Sequence, residues 1–219
     1  MNKALLIFAK QPLPGKVKTR LSPPFSPQEA ADIYRCMLSD TLAKVADLPG
    51  VEIFLFFEPS CGASDFFRKS FPGTRIFPQQ GDGLGERLKK AFEMVFELGF
   101  ESVAAIGTDS PDLPLLHLQE PFRLLQDEGA DVVFGPAADG GYYLVALGRS
   151  CPGLFRDIPW STSRVLEASL EAASSLGLQV KSLPVWHDMD TVEDLKRFLA
   201  AGNPHYAPRT LRFLREKRV

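Results

Sequence analysis

Cysteine and histidine are scarce in this chain, three of each among 219 residues. Cys36, Cys61 and Cys151 are odd in number and far apart. They make neither a disulfide framework nor a zinc pattern, which fits a reducing, cytoplasmic setting. His117, His187 and His205 are equally scattered and suggest no metal cluster. Net charge is small, −2 at pH 7, so there is no electrostatic case for nucleic acid or an anionic membrane as partner. No apolar run is long enough to span a bilayer. The opening MNKALLIFAK has a brief apolar run but no small-residue cleavage site. Pro12, Pro14 and Gly15 follow at once, so it reads as a strand and not a signal peptide. Repeats, low-complexity tracts and linkers are also missing, and the length suits a single domain over residues 1–219.

What is present is an alternation of apolar runs and amphipathic stretches. Ala4–Ala9, Val51–Phe57, Arg75–Pro78, a run from Ser102, Asp131–Pro136, Tyr142–Leu147 and Leu178–Pro184 read as strands. Ser26-Pro-Gln-Glu29 is a capping box opening a helix to about Leu48. Further helices are expected over Ser64–Ser70, through Leu88, Ala91 and Phe92, over Leu115–Gly129, and after Pro159-Trp-Ser-Thr-Ser163, where Ser161 or Thr162 is the expected N-cap. Thr191 and Asp194 make a second capping box, for a helix to Ala201. Asn203 to Val219, with Arg209, Arg212, Arg215, Lys217 and Arg218, reads as a solvated amphipathic end without chemistry. The pattern predicts an α/β fold with a mainly parallel sheet. Asp139-Gly-Gly141 reads as a hairpin turn, which makes the sheet mixed.

Four stretches can carry chemistry. In VAAIGTDSPDLP, Asp109 follows a buried strand, and ligands of open α/β sheets bind beyond strand carboxyl ends. Asp109 either holds a divalent metal against substrate phosphates or caps the following turn. The loop Lys10 to Arg20 offers Gly15 for close approach and Lys16, Lys18 and Arg20 for phosphate oxygens, or is a solvated basic loop; it is neither a Walker loop nor G-x-G-x-x-G. Gln79 to Arg87 places glycines before a helix, an anion or ribose site or else a flexible connection. Asp188 and Asp190, just before the second capping box, either face a cation or serve the helix dipole.

The runs FAKQPLPGKVKTRL, QGDGLGERL, GTDSPDLP, FGPAADGGYYLVAL and WHDMDTVEDL, in this order, resemble small bacterial proteins of the glycosyltransferase-A, or nucleotide-diphospho-sugar transferase, fold. A more distant resemblance is to molybdenum-cofactor and phospholactate guanylyltransferases, to which the Lys18-Thr-Arg-Leu21 run is similar. The resemblance implies a three-layer α/β/α domain. It also implies a transferase acting on an activated nucleotide with Mg²⁺ or Mn²⁺ as cofactor. The metal ligands would be Asp109, Asp188 and Asp190. Ala9, Lys10, Gly15, Lys16, Lys18, Arg20, Gln80, Gly81, Gly85 and Arg87 would bind nucleotide and phosphates, with Asp109, Lys18 and Arg20 the catalytic set. Asp139, Gly140 and Gly141 would face the substrate. Expected partners are a nucleotide-sugar or nucleoside triphosphate and a small-molecule acceptor. The favoured reaction is glycosyl transfer from a nucleotide-sugar. The alternatives are nucleotidyl transfer releasing pyrophosphate, and a non-catalytic nucleotide-binding domain. In one departure, the glycine-rich first loop of sugar nucleotidyltransferases is reduced to Gly15.

Overall fold

The computed structural model describes residues 2–201 and 205–217. Asn203 and Arg218, counted above with the basic end, lie outside them. Seven strands form one sheet in the order β3-β2-β1-β4-β6-β5-β7. They are β1 (Lys3–Ala9), β2 (Val51–Phe57), β3 (Arg75–Pro78), β4 (Ser102–Ile106), β5 (Val132–Pro136), β6 (Tyr142–Leu147) and β7 (Val180–Ser182). All run parallel except β6, which lies antiparallel between β4 and β5. The Asp139-Gly-Gly turn therefore makes the expected hairpin and the mixed sheet. β7 is shorter than the Leu178–Pro184 run. Gly177 turns the chain at φ +67 before it, and Pro184 after it has no N–H for a ladder.

Alternate residues of β1 serve opposite faces, as a pleated strand requires. Leu5, Ile7 and Ala9 meet α1 (Pro27–Ala46), α2 (Ala63–Ser70) and α4 (Leu115–Asp127) through Leu38, Leu42, Phe67, Leu118 and Phe122. Ala4 and Leu6 meet α3 (Leu84–Glu97) and α5 (Val165–Ser175) through Leu88, Phe92, Val95 and Ala173. This is the three-layer α/β/α arrangement. The far side of α1 carries a smaller core with α6 (Val192–Ala201) and α7 (Pro208–Glu216), built from Ile33, Met37, Leu195, Phe198, Leu211 and Leu214. The chain end, expected to be largely solvated, is thus docked on α1 along its apolar stripe. Among the described residues, no helix is long and apolar enough to cross a membrane.

Both capping boxes form. Ser26 Oγ accepts from the Glu29 N–H at 3.2 Å while the Glu29 carboxylate accepts from the Ser26 N–H at 3.0 Å. Asp194 accepts from the Thr191 N–H at 2.8 Å. The expected cap of α5 does not form. Arg164 is its N-cap residue, without a side-chain bond. Thr162 Oγ1 instead donates to the Pro159 carbonyl at 2.7 Å, closing a turn of its own.

Candidate active site

A cleft of about 570 Å³ opens at the carboxyl ends of the parallel strands, within the size range of small-molecule sites, roughly 300–1,000 Å³. Its floor is β1 and β4, and Asp109 sits where β4 hands over to its loop. Thr108, beside it, donates to the Tyr34 hydroxyl at 2.9 Å, which also accepts from the Lys10 N–H at 2.9 Å. Tyr34 so ties the ends of β1 and β4 together from α1. Burial, and then the charge of Asp109, push its hydroxyl up to about 12.

The first loop curls over this floor. Gly15 adopts φ +71 and Lys18 the left-handed φ of +47. This turns the Lys18 side chain inward, where it is 4% exposed. Its Nζ lies 2.5 Å from Asp109 Oδ1 and 2.8 Å from Asp190 Oδ1. Burial alone would lower the Lys18 pKa. The two carboxylates outweigh it and raise the pKa above the usual lysine range. Arg20 reaches Asp190 Oδ2 from outside at 3.5 Å and stays mostly exposed, as does Lys16.

Asp188 stands apart from this pair. Its Oδ1 accepts from Ser110 Oγ at 2.6 Å, and burial, followed by the nearby charge of Asp109, pushes the carboxyl up to about 6. Among the described residues, no three His, Cys, Asp or Glu side chains are gathered so as to hold a metal ion by themselves. This corrects the expected three-carboxylate cage: Asp109 and Asp190 share one cation, while Asp188 is drawn to Ser110. The donor set still fits a hard divalent ion. Mg²⁺ is commonly held by one or two carboxylates, with substrate phosphates and water completing the shell. The Lys18 ammonium is a stand-in cation at the point where the two carboxylates meet.

Of the remaining expected nucleotide residues, Ala9, Lys10 and Arg87 line the cleft. Arg87 is braced by Gly81 O at 3.2 Å, Glu58 Oε1 at 3.0 Å and Gln79 Oε1 at 3.3 Å. Gly15, Gln80, Gly81 and Gly85 do not reach the cleft wall. Gly15 is the tip of a turn. Gly81 adopts φ +127 with Glu86 packed where a Cβ would stand. A Cβ on Gly85 would lie 2.4 Å from Trp160 Nε1, so this glycine seats an indole. Asp139, Gly140 and Gly141 are likewise off the wall. Asp139 Oδ1 accepts from the Gly141 N–H at 2.9 Å within the hairpin, and Gly140 packs under Ser163.

Sequence reasoning missed Tyr34, Glu58, Gln79 and Ser161 on the wall. Glu58 and Gln79 directly follow β2 and β3, so the strand-end rule that found Asp109 would also have found them. Tyr34 sits on the apolar face of a helix and carries no such signal. Ser161, at φ +64, belongs to the strap of residues 159–163 pinned over Gly85 and Gly140.

The family described as "Uncharacterized protein conserved in bacteria (DUF2064)" matches residues 41–162. A solved protein from Desulfovibrio desulfuricans G20, provisionally titled a nucleotide-diphospho-sugar transferase, is 33% identical, covering 99% of this chain and 95% of its own, with a TM-score of 0.92. The 2-phospho-L-lactate guanylyltransferase of Methanothermobacter thermautotrophicus is 27% identical over 207 residues, 90% of this chain and 85% of that protein. A Mycobacterium tuberculosis H37Rv protein solved with manganese shares the fold at 17% identity, with a TM-score of 0.58 over 91% of this chain and 98% of its own. The chain therefore has the nucleotide-diphospho-sugar transferase fold and belongs to the bacterial family described as DUF2064.

Proposed function

We propose that the cleft is the active site of a metal-dependent transferase that takes a nucleoside diphosphate-sugar and passes its sugar to a small-molecule acceptor. The convergence of Asp109 and Asp190, from two separate loops, on one cation position carries this reading. Lys16 and Arg20 on the lip would neutralise the phosphates, acting mainly by positioning and charge stabilisation. Lys10, Glu58 and Arg87 lie toward β2 and β3 and would hold the nucleoside. Ser161 and the start of β6 lie on the other side of β4 and would border the acceptor. Bound at Asp109 and Asp190, Mg²⁺ or Mn²⁺ would offset charge on the departing diphosphate.

The first loop supports a diphosphate over a triphosphate: Gly15 is its one glycine, so few backbone N–H groups can wrap a phosphate chain. Nucleotidyl transfer with release of pyrophosphate is the second reading, supported by the likeness to the phospholactate guanylyltransferase. A thermal-shift panel of nucleoside diphosphates, triphosphates and nucleotide-sugars with Mn²⁺ separates the two. Stabilisation by diphosphates and nucleotide-sugars is expected. Stabilisation by triphosphates alone would replace glycosyl with nucleotidyl transfer, and no response to any nucleotide would sink both.

A further inference from the structure

We propose that Lys18 is the resident counter-cation of the metal position, so that a divalent ion enters together with a phosphate and not ahead of it. The inference rests on the metal site just proposed and adds the order of binding. Two carboxylates this close repel unless a cation lies between them. Here that cation is the Lys18 ammonium, in contact with both, while Arg20 touches only the outer oxygen of Asp190. Asp188, the remaining acid of the cluster, already accepts from Ser110.

A divalent ion needs carboxylate oxygens at about 2.1 Å, which is the space the ammonium occupies. Metal and ammonium together would leave the pair over-neutralised, with two cations in contact. The ammonium must therefore leave, yet a side chain 4% exposed has no bulk water to move into. An anion on the lip supplies the missing partner. A phosphate lying between Lys16 and Arg20 could take the Lys18 ammonium and free Asp109 and Asp190 for the metal in one exchange. The backbone around Lys18 is fixed meanwhile: its carbonyl accepts from the Leu21 N–H at 3.0 Å, closing a short turn. Only the side chain needs to move.

The test is Mn²⁺ binding without catalysis, followed by the EPR signal of free Mn²⁺ in wild type, Lys18→Met and Lys18→Arg, each alone and with GDP, UDP, CDP or ADP. Without nucleotide, Lys18→Met should bind Mn²⁺ roughly tenfold or more tighter than wild type, and Lys18→Arg, which keeps the cation, should stay weak. The nucleotide that binds should tighten Mn²⁺ on wild type by a similar factor and on Lys18→Met far less. Should Lys18→Met not fold, Lys18→Gln gives the same expectation. Equal Mn²⁺ affinity in wild type and the neutral variants, or weaker affinity in the variants, overturns the inference and leaves the metal site standing. If no protein binds Mn²⁺ even with a nucleotide, the metal site fails and this inference fails with it.

Discussion

The backbone N–H of Met189 donates to the carbonyl of Asp109 at 2.8 Å. That bond joins the loop after β4 to the loop after β7, which are otherwise separated in the sheet by β6 and β5. Ser110 and Asp188 add a side-chain bond beside it at 2.6 Å, and Trp186 Nε1 reaches Asp112 Oδ1 at 3.3 Å. Asp190 arrives beside Asp109 because these loops are laced along their length.

The lacing predicts a paired effect for Trp186→Phe. Phenylalanine keeps the ring edge-on to His117, now at 5.2 Å, but leaves the largely buried Asp112 carboxylate without the indole donor. The loss should be about 1–2 kcal/mol of stability in urea denaturation. Mn²⁺ binding should weaken in the same variant, since Asp190 is held through this loop. Unchanged stability together with unchanged Mn²⁺ binding would show that the lacing is not what aligns the carboxylates.

Asp40 offers the contrast of a carboxylate that serves only the fold. It lies on α1 with its side chain fully buried. It accepts from the N–H groups of Arg209 and Thr210 at 3.1 and 2.8 Å, from Thr210 Oγ1 at 2.8 Å and from the Arg209 guanidinium at 3.3 Å. Ala207, the N-cap residue of α7, has no side-chain oxygen, so Asp40 caps that helix from across the interface. Asp40→Asn turns an amide N–H₂ toward these donors and should cost about 3 kcal/mol in urea denaturation. Mn²⁺ and nucleotide affinities of the folded fraction should match wild type.

The sequence announced Asp109 for a physical reason: a four-residue apolar run can only be a buried strand, and whatever follows its end is delivered to the cleft. The same logic yields every strand and the mixed sheet. Lys18 was legible as a cation but not as a buried one. Its inward turn comes from a left-handed backbone at φ +47, which residue spacing does not encode. Gly85 and Gly140 were misread because a glycine that admits a ligand and a glycine that admits a neighbouring loop look alike in a string. Ser161 and Thr162 looked like caps because short hydroxyl side chains suit caps and turns alike.

Gly140 should tolerate no side chain. It adopts φ +91, and a Cβ there would lie 2.1 Å from the Ser163 carbonyl oxygen, a backbone atom that cannot rotate away. Its own carbonyl accepts from the Leu166 N–H at 2.9 Å and so starts α5. Gly140→Ala should destabilise by more than about 1 kcal/mol, visible in thermal unfolding, and should shift the strap that carries Ser161. A stable Gly140→Ala protein with native nucleotide affinity would show the strap to be freely adjustable.

Lys44 ties stability to pH. From α1 its Nζ donates to the carbonyls of Pro111 and, at 2.7 Å, Leu113, holding the turn that follows Asp109. Tyr206 offers its ring face 5.8 Å away. Burial pulls the Lys44 pKa down from 10.5 to about 8, although Asp112 and Asp40 oppose the change. Between those values the unfolded chain carries more protons at this site than the folded one, so the contribution of Lys44 to stability rises with pH across the window. Both hydrogen bonds survive, because a neutral amine still has two N–H donors. Subtracting the unfolding free energy of Lys44→Met from that of wild type cancels the titrations the two proteins share. That difference should climb from pH 8 to 10.5 and be level below pH 7. A difference that falls with rising pH would mean that the ammonium, and not the amine, is the form this pocket prefers.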